Sequence, residues 1–317
     1  LTRTRMGNYD DALQDFREAI DLRPDLPDAY YSRGYTRLQN KQYEEAIEDF
    51  DKFIFQENKV ADAYIGRGTA YLYLKDTVRA LENFDQAIRT NRENPNGYYQ
   101  RGTLLLQKEE YARAEADFDM SIRCDSAFLP PYFNRAVVYS NTNRPMQALA
   151  DFDRVLQLDS TNSFTYFNRA ILRTQIGDYN RALDDFDRVA LYSPGNVQVY
   201  YLRAMLKTRL GDLEGAERDY TRAIELYPDF ANAYLNRSAL RYALHNPKAA
   251  KRDEEIAQRK IAEYKSHLKD STYSIYADTT QRMDKLLAFD NQFTNNYFDR
   301  ISEQPSLGRS NMRLLPL

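Results

Sequence analysis

A single 34-residue period runs through this chain from Tyr30 to Ala250 without an insertion or deletion, and few folds are compatible with such regularity. A Tyr recurs at Tyr30, Tyr64, Tyr98, Tyr132, Tyr166, Tyr200 and Tyr234. Four residues later a small residue recurs, as Gly34, Gly68, Gly102, Ala136, Ala170, Ala204 and Ser238. Twelve further on stands an Ala, from Ala46 through Ala80, Ala114, Ala148, Ala182 and Ala216 to Ala250. Four past it comes an aromatic, Phe50, Phe84, Phe118, Phe152, Phe186 or Tyr220, until Glu254 breaks the series and places the end of the array.

One unit, residues 163–196, shows what the period encodes. Tyr166, Ala170 and Ile171 form an apolar stripe at helical spacing, and Ala182, Phe186 and Val189 form a second. Between them lies the turn Gly177-Asp178-Tyr179, and Ser193-Pro194-Gly195 closes the unit, where the missing N–H of Pro194 stops a helix. Each unit is therefore a helical hairpin. Two helices of roughly 12 to 14 residues, each about 20 Å long, cannot bury both faces alone, so the units must stack. Small residues let the two helices of a hairpin touch, with Ala170 expected to face Ala182, and the aromatic fills the wedge between hairpins.

The period, the small positions, the aromatics and the closing prolines Pro24, Pro194 and Pro228 resemble the tetratricopeptide repeat family, over about four fifths of the chain. The resemblance implies an all-α fold, a right-handed superhelical solenoid of antiparallel helix hairpins. Residues 1–264 then form the array. A partial first repeat, 1–24, keeps only its second helix (Tyr9, Ala12, Phe16, Ala19), and seven repeats follow to about residue 264. The last ends in a long charged helix from Pro247 that caps the stack. Leu1 is neither an initiator Met nor part of a signal peptide, so the chain reads as a fragment. Residues 265–317 form a tail outside the repeat, with a short amphipathic helix near 279–289 built on Met283, Leu286, Leu287 and Phe289. The tail resembles those of long repeat proteins of Bacteroidetes bacteria, which implies a periplasmic or envelope location as an alternative to the cytoplasm.

Composition and motifs narrow the function classes. The formal net charge is -3, against the basic excess that a phosphate-neutralising surface needs, so no nucleic-acid partner is expected. No run of 18 apolar residues spans a membrane. The one cysteine, Cys124, forms no internal disulfide and reads as a packing residue. The two histidines, His245 and His267, have no Cys or carboxylate at ligand spacing, so no metal and no cofactor is expected. Nucleophile elbows, P-loops and dinucleotide-binding glycine motifs are all missing, and the Asp clusters recur in nearly every unit, too regularly to be catalytic. The chain is not expected to be an enzyme.

Two periodic series carry the remaining information. Arg33, Arg67, Arg101, Arg135, Arg169, Arg203 and Arg237 stand where the repeat family usually has an aliphatic residue. They form either a spiral of cations for an anionic ligand or partners for the equally regular Asp15, Asp49, Asp117, Asp151, Asp185, Asp219 and Asp253, with Asn83 as the exception. The expected pairing runs forward by 18 residues, Asp151 to Arg169, stitching neighbouring hairpins, so that Arg101 would face Asn83.

The second series lies on the first helices, whose concave face the resemblance implies is a peptide groove. Candidate groove residues are Tyr31, Tyr99, Gln100, Phe133, Asn134, Phe167, Asn168, Tyr201 and Asn236. The competing reading packs these aromatics on neighbouring first helices. A protein-interaction scaffold holding a peptide or protein segment is the expected function, the alternative being a targeting or regulatory arm of a larger enzyme or sensor. RNA on the aromatic stripe would need Arg173, Lys207, Arg209 and Arg241 as cations. The apolar tail, with Leu314, Leu315 and Leu317 around Pro316, makes self-association a further expectation.

Overall fold

A computed structural model of the chain describes residues 8–266. The first seven residues of the partial repeat, His267, the helix expected near 279–289 and the Leu-rich C-terminal segment lie outside the described residues. Among the described residues fifteen helices, and no strand, follow one another: α1 (Tyr9–Leu22), α2 (Pro27–Gln39), α3 (Tyr43–Gln56), α4 (Ala61–Tyr73), α5 (Thr77–Thr90), α6 (Pro95–Gln107), α7 (Tyr111–Cys124), α8 (Leu129–Asn141), α9 (Pro145–Leu158), α10 (Ser163–Gln175), α11 (Tyr179–Tyr192), α12 (Val197–Leu210), α13 (Leu213–Leu226), α14 (Ala231–Ala243) and α15 (Pro247–Ser266). They form two compact units that divide within α8, after Asn134.

The ends of the helices follow from local chemistry. Pro27, Pro95 and Pro145 open α2, α6 and α9, where their missing N–H has no intrahelical partner to lose. Asp76, Asn162, Asn196 and Asp212 cap α5, α10, α12 and α13 by accepting a backbone N–H of the first turn. The first helix of each repeat ends on a left-handed residue, Lys41, Lys75, Glu109, Asn143, Gly177, Gly211 and His245, spaced 34 apart. Behind it the chain closes as a Schellman turn, as where Asp178 N–H donates to the Arg173 carbonyl at 2.8 Å. His245 is therefore a surface turn residue.

That turn sets the register of every hairpin. Residues equidistant from its left-handed residue lie opposite each other on the two antiparallel helices. Arg169 and Asp185 are each eight from Gly177, and Arg169 donates from Nε and Nη2 to the two Asp185 oxygens at 2.9 and 2.6 Å. The same bidentate pair recurs as Arg33–Asp49, Arg101–Asp117, Arg135–Asp151, Arg203–Asp219 and Arg237–Asp253. This corrects the expected forward pairing of Asp151 with Arg169: Asp151 belongs to Arg135 of its own hairpin. Stitching between neighbours does occur, through the acid two residues later. Nη1 of Arg67, Arg101, Arg169 and Arg203 reaches Asp51, Asp85, Asp153 and Asp187 of the preceding hairpin. It is Arg67, not Arg101, that faces Asn83, at 2.7 Å.

The wedge role of the aromatic holds, and its neighbours refine the picture of the small residues. A Cβ added at Gly34, Gly68 or Gly102 would first meet ring carbons of Phe50, Phe84 or Phe118 and the Cβ of Asp49, Asn83 or Asp117. At these glycines the small residue therefore makes room first for the aromatic of its own hairpin. From the next hairpin Gly66 approaches the same Phe50, and a Cβ there would lie 2.5 Å from its Cζ. The lead Tyr anchors its helix to the chain before it: Tyr30, Tyr64 and Tyr200 donate to the carbonyls of Pro24, Asn58 and Pro194, each at 3.2 Å. Arg33, Arg67, Arg169, Arg203 and Arg237 lie over the lead Tyr of the same helix at 5.4–5.6 Å, so each guanidinium is stacked as well as paired.

Candidate functional site

The candidate residues sit immediately after the lead Tyr on each first helix, one position round from the packing stripe. In the unit ending at Asn134, Tyr31 packs edge-on against Tyr35 at 5.0 Å and tilted on Phe53 at 4.9 Å. Burial pushes its hydroxyl pKa well up, with Asp62 adding to the shift, so it stays neutral at physiological pH. Tyr99 is buried against Phe128 and Phe118, at 5.3 and 6.3 Å. Asn134 is buried and donates from Nδ2 to Thr103 Oγ1 at 3.1 Å, while Gln100 stays half-buried and Phe133 is buried.

The second unit repeats the pattern. Phe167 lies edge-on to Phe186 at 6.1 Å, and Asn168, 0% exposed, donates to the Phe164 carbonyl at 2.8 Å. Tyr201 is held between Phe230 and Tyr220, at 4.7 and 5.9 Å, and Asn236 donates to its hydroxyl at 3.0 Å. Of the nine candidates, six are thus buried: Tyr99, Phe133, Asn134, Phe167, Asn168 and Tyr201. Tyr31, Gln100 and Asn236 remain half-buried. The aromatic side chains pack on aromatics of the second helices, Phe53, Phe118, Phe186 and Tyr220, and on Phe128 and Phe230 at the entry to the next hairpins, where the competing sequence reading had placed them on neighbouring first helices. Asn134 Oδ1 and Asn168 Oδ1 are each buried and have no hydrogen-bond partner among the described residues.

Solvent reaches the face most openly on α12 and α14, at Met205 (43% exposed), Ala239 and Tyr242 (45% exposed). Tyr242 was not a sequence candidate. Its signal was its place three residues after Ala239, on the same helical face. The four cations named for an RNA backbone are mostly spent internally. Arg173 pairs with Asp185 at 2.7 Å, Lys207 with Asp219 at 2.8 Å, and Arg241 with both Asp253 and Glu217. Arg209, exposed, lies 4.5 Å over the Tyr179 ring and makes no ion pair among the described residues. No group of three or more His, Cys, Asp or Glu that could hold a metal ion occurs among the described residues, and no described helix is long and apolar enough to cross a membrane.

With this geometry in hand, known proteins can be set beside the chain. Residues 2–41 match a TPR repeat model, and residues 65–127 and 197–230 match tetratricopeptide repeat models. No curated protein matches the sequence. Among solved structures, YrrB, described as a TPR protein with an unusual peptide-binding site, is 23% identical with a TM-score of 0.51, over 58% of this chain and 95% of that one. Pseudomonas aeruginosa pilF is 21% identical with a TM-score of 0.58, over 64% of this chain and 92% of its own. A tetratricopeptide repeat protein from Parabacteroides merdae is 20% identical with a TM-score of 0.53, over 81% of this chain and 95% of that chain. At these identities the likeness is one of fold.

Proposed function

Because the chain belongs to the tetratricopeptide repeat family and is therefore a protein-interaction scaffold, we propose that its first-helix face binds an extended peptide or protein segment and that the chain catalyses no reaction itself. The observation that carries this reading is the exposed apolar side chains Met205 and Tyr242, with Ala239 between them, on the otherwise covered first helices α12 and α14. Exposed apolar side chains grouped on a scaffold surface mark a protein-interaction site, and an extended segment can lay its own apolar side chains against them. The fold likeness to YrrB, a protein described by its peptide-binding site, supports the reading. Nucleic acid is disfavoured because Arg173, Lys207 and Arg241 are neutralised by acids.

Peptides selected from a random twelve-residue display library on the full-length chain test it. Micromolar binders are expected, their affinity changing less than about threefold between roughly 0.1 and 1 M salt. The exposed variants Met205→Asp and Tyr242→Ala should weaken them at least tenfold with the melting temperature unchanged. Selected peptides that bind these variants as tightly as the parent chain would overturn the assignment of this face.

A further inference from the structure

Away from their ends the described first helices are covered, except where Met205 opens the middle of α12 and Ala239 the middle of α14. These two helices touch, and one turn further along them lie Arg209 and Tyr242. Met205, Ala239 and Tyr242 therefore make an exposed apolar strip with the unpaired Arg209 guanidinium beside it.

We propose that this strip is occupied by the chain's own residues 283–290, which dock in cis and compete with a partner segment for the same face. The proposal rests on the reading of that face as peptide-binding. Three observations select this occupant. Helix α15, packed on α14, ends at Ser266, and the chain continues for 51 residues to Leu317. Sixteen residues lie between Ser266 and Met283, a reach of roughly 55–60 Å when extended, more than the length of either helix. Within the tail, Met283, Leu286 and Leu287 share one stripe at helical spacing, with Phe289 after them, matching an apolar strip. Residues 283–290 carry Asp284 and Asp290 against Lys285, a net charge of -1 that suits Arg209, whereas the other apolar cluster, Met312 to Leu317, carries Arg313 and no acidic side chain. A tether of this length raises the effective concentration to the millimolar range, enough to mask a groove of modest affinity.

The experiment uses the full-length chain and a second full-length chain disarmed by Leu286→Asp and Leu287→Asp. A fluorescein-labelled peptide of residues 279–291 is titrated into both. It is expected to bind the disarmed chain at least tenfold more tightly, because the parent's own segment competes. Adding Arg209→Glu to the disarmed chain should weaken the peptide at least tenfold, and a peptide carrying Asp290→Arg should recover the loss. Equal affinity for the two chains, indifference to Arg209→Glu, or tighter binding by a peptide of residues 309–317 would overturn the proposal. So would a parent dimer that dissociates on disarming, since that places the segment on a second copy. Library-selected peptides separate the two readings. If they bind in a Met205-dependent way while the 279–291 peptide does not, only the docking falls; if neither binds, the peptide-binding face falls with it.

Discussion

Arg169 grips Asp185 of its own hairpin through Nε and Nη2 and reaches Asp153 of the preceding hairpin through Nη1. One side chain thus closes a hairpin and stitches it to its neighbour. Asp185, 2% exposed, also takes Arg173 at 2.7 Å. Removing one partner of a buried pair typically costs ~3–5 kcal/mol, because the other is left charged and dry. Arg169→Ala and Asp185→Ala should each destabilise on that scale, and the double variant should cost clearly less than their sum. Arg169→Ala with Asp151→Ala, which belong to different pairs, should come closer to additive. Denaturant unfolding of the four variants checks this, and additivity for Arg169 with Asp185 would refute it.

Two equivalent arginines should differ in importance. Arg67 meets the neutral Asn83 and the half-exposed Asp51, whereas Arg101 is gripped by Asp117 and also reaches Asp85. Hydrogen bonding to Asp117 is the main cause holding the Arg101 guanidinium above its ordinary pKa. Losing a neutral hydrogen bond costs on the order of 1 kcal/mol, less than orphaning a buried carboxylate. Arg101→Ala is therefore expected to lower the melting temperature more than Arg67→Ala. The opposite order would show that Asn83 is held by something other than its charge-free pairing.

Five repeats end their first helix with a side chain in the left-handed region, among them Lys75 at φ 63° and Glu109 at φ 59°. That conformation costs an L-residue roughly 1–2 kcal/mol, offset in part by the greater freedom glycine has when unfolded. Lys75→Gly and Glu109→Gly should each stabilise by up to ~1 kcal/mol. Gly177→Ala should destabilise by about as much although a Cβ there meets nothing within 4 Å, so the cost is conformational alone. Calorimetric melting of the three variants decides it, and a neutral Gly177→Ala would count against the argument.

Gly66→Ala is the contrasting case. Its Cβ would sit 2.5 Å from Phe50 Cζ, on a ring with no exposure of its own, and overpacking of this kind costs ~1–3 kcal/mol. Stability in a repeat array is a sum of units and interfaces, so the damage should stay local. Hydrogen exchange is expected to accelerate first in α3 and α4. Uniform acceleration along the chain would contradict the one-dimensional picture.

Asp76 caps α5, accepting the Arg79 backbone N–H at 3.0 Å, and this bond together with the Arg79 side chain holds its carboxyl below the ordinary range. A folded-state pKa below the unfolded one means stability present above the unfolded value and lost as pH falls through the folded one. The melting difference between the parent chain and Asp76→Ala should accordingly be full at pH 7 and shrink below about pH 3.8. A difference independent of pH would show that the cap acts without its charge.

The hairpins, their number, their turns and the aromatic wedge are all legible in the sequence, because each rests on local rules that a strict period repeats seven times over. Gly177 announces the left-handed turn by itself. His245 and Glu109 do so only because they stand 34-residue steps from it. The pairing of the Arg and Asp series was not legible. Spacings of 16 and 18 residues look alike along the chain, and only the antiparallel packing about Gly177 makes Asp185, not Asp151, the residue opposite Arg169. The face of the first helices was decided in the same way. Its residue types were apparent, but how far the wedge aromatics and the residues entering the next hairpin cover Tyr99, Phe167 and Tyr201 depends on distances between helices. A period specifies which residues recur, whereas burial and charge partners depend on what comes near them in three dimensions, and that is settled only when the helices pack.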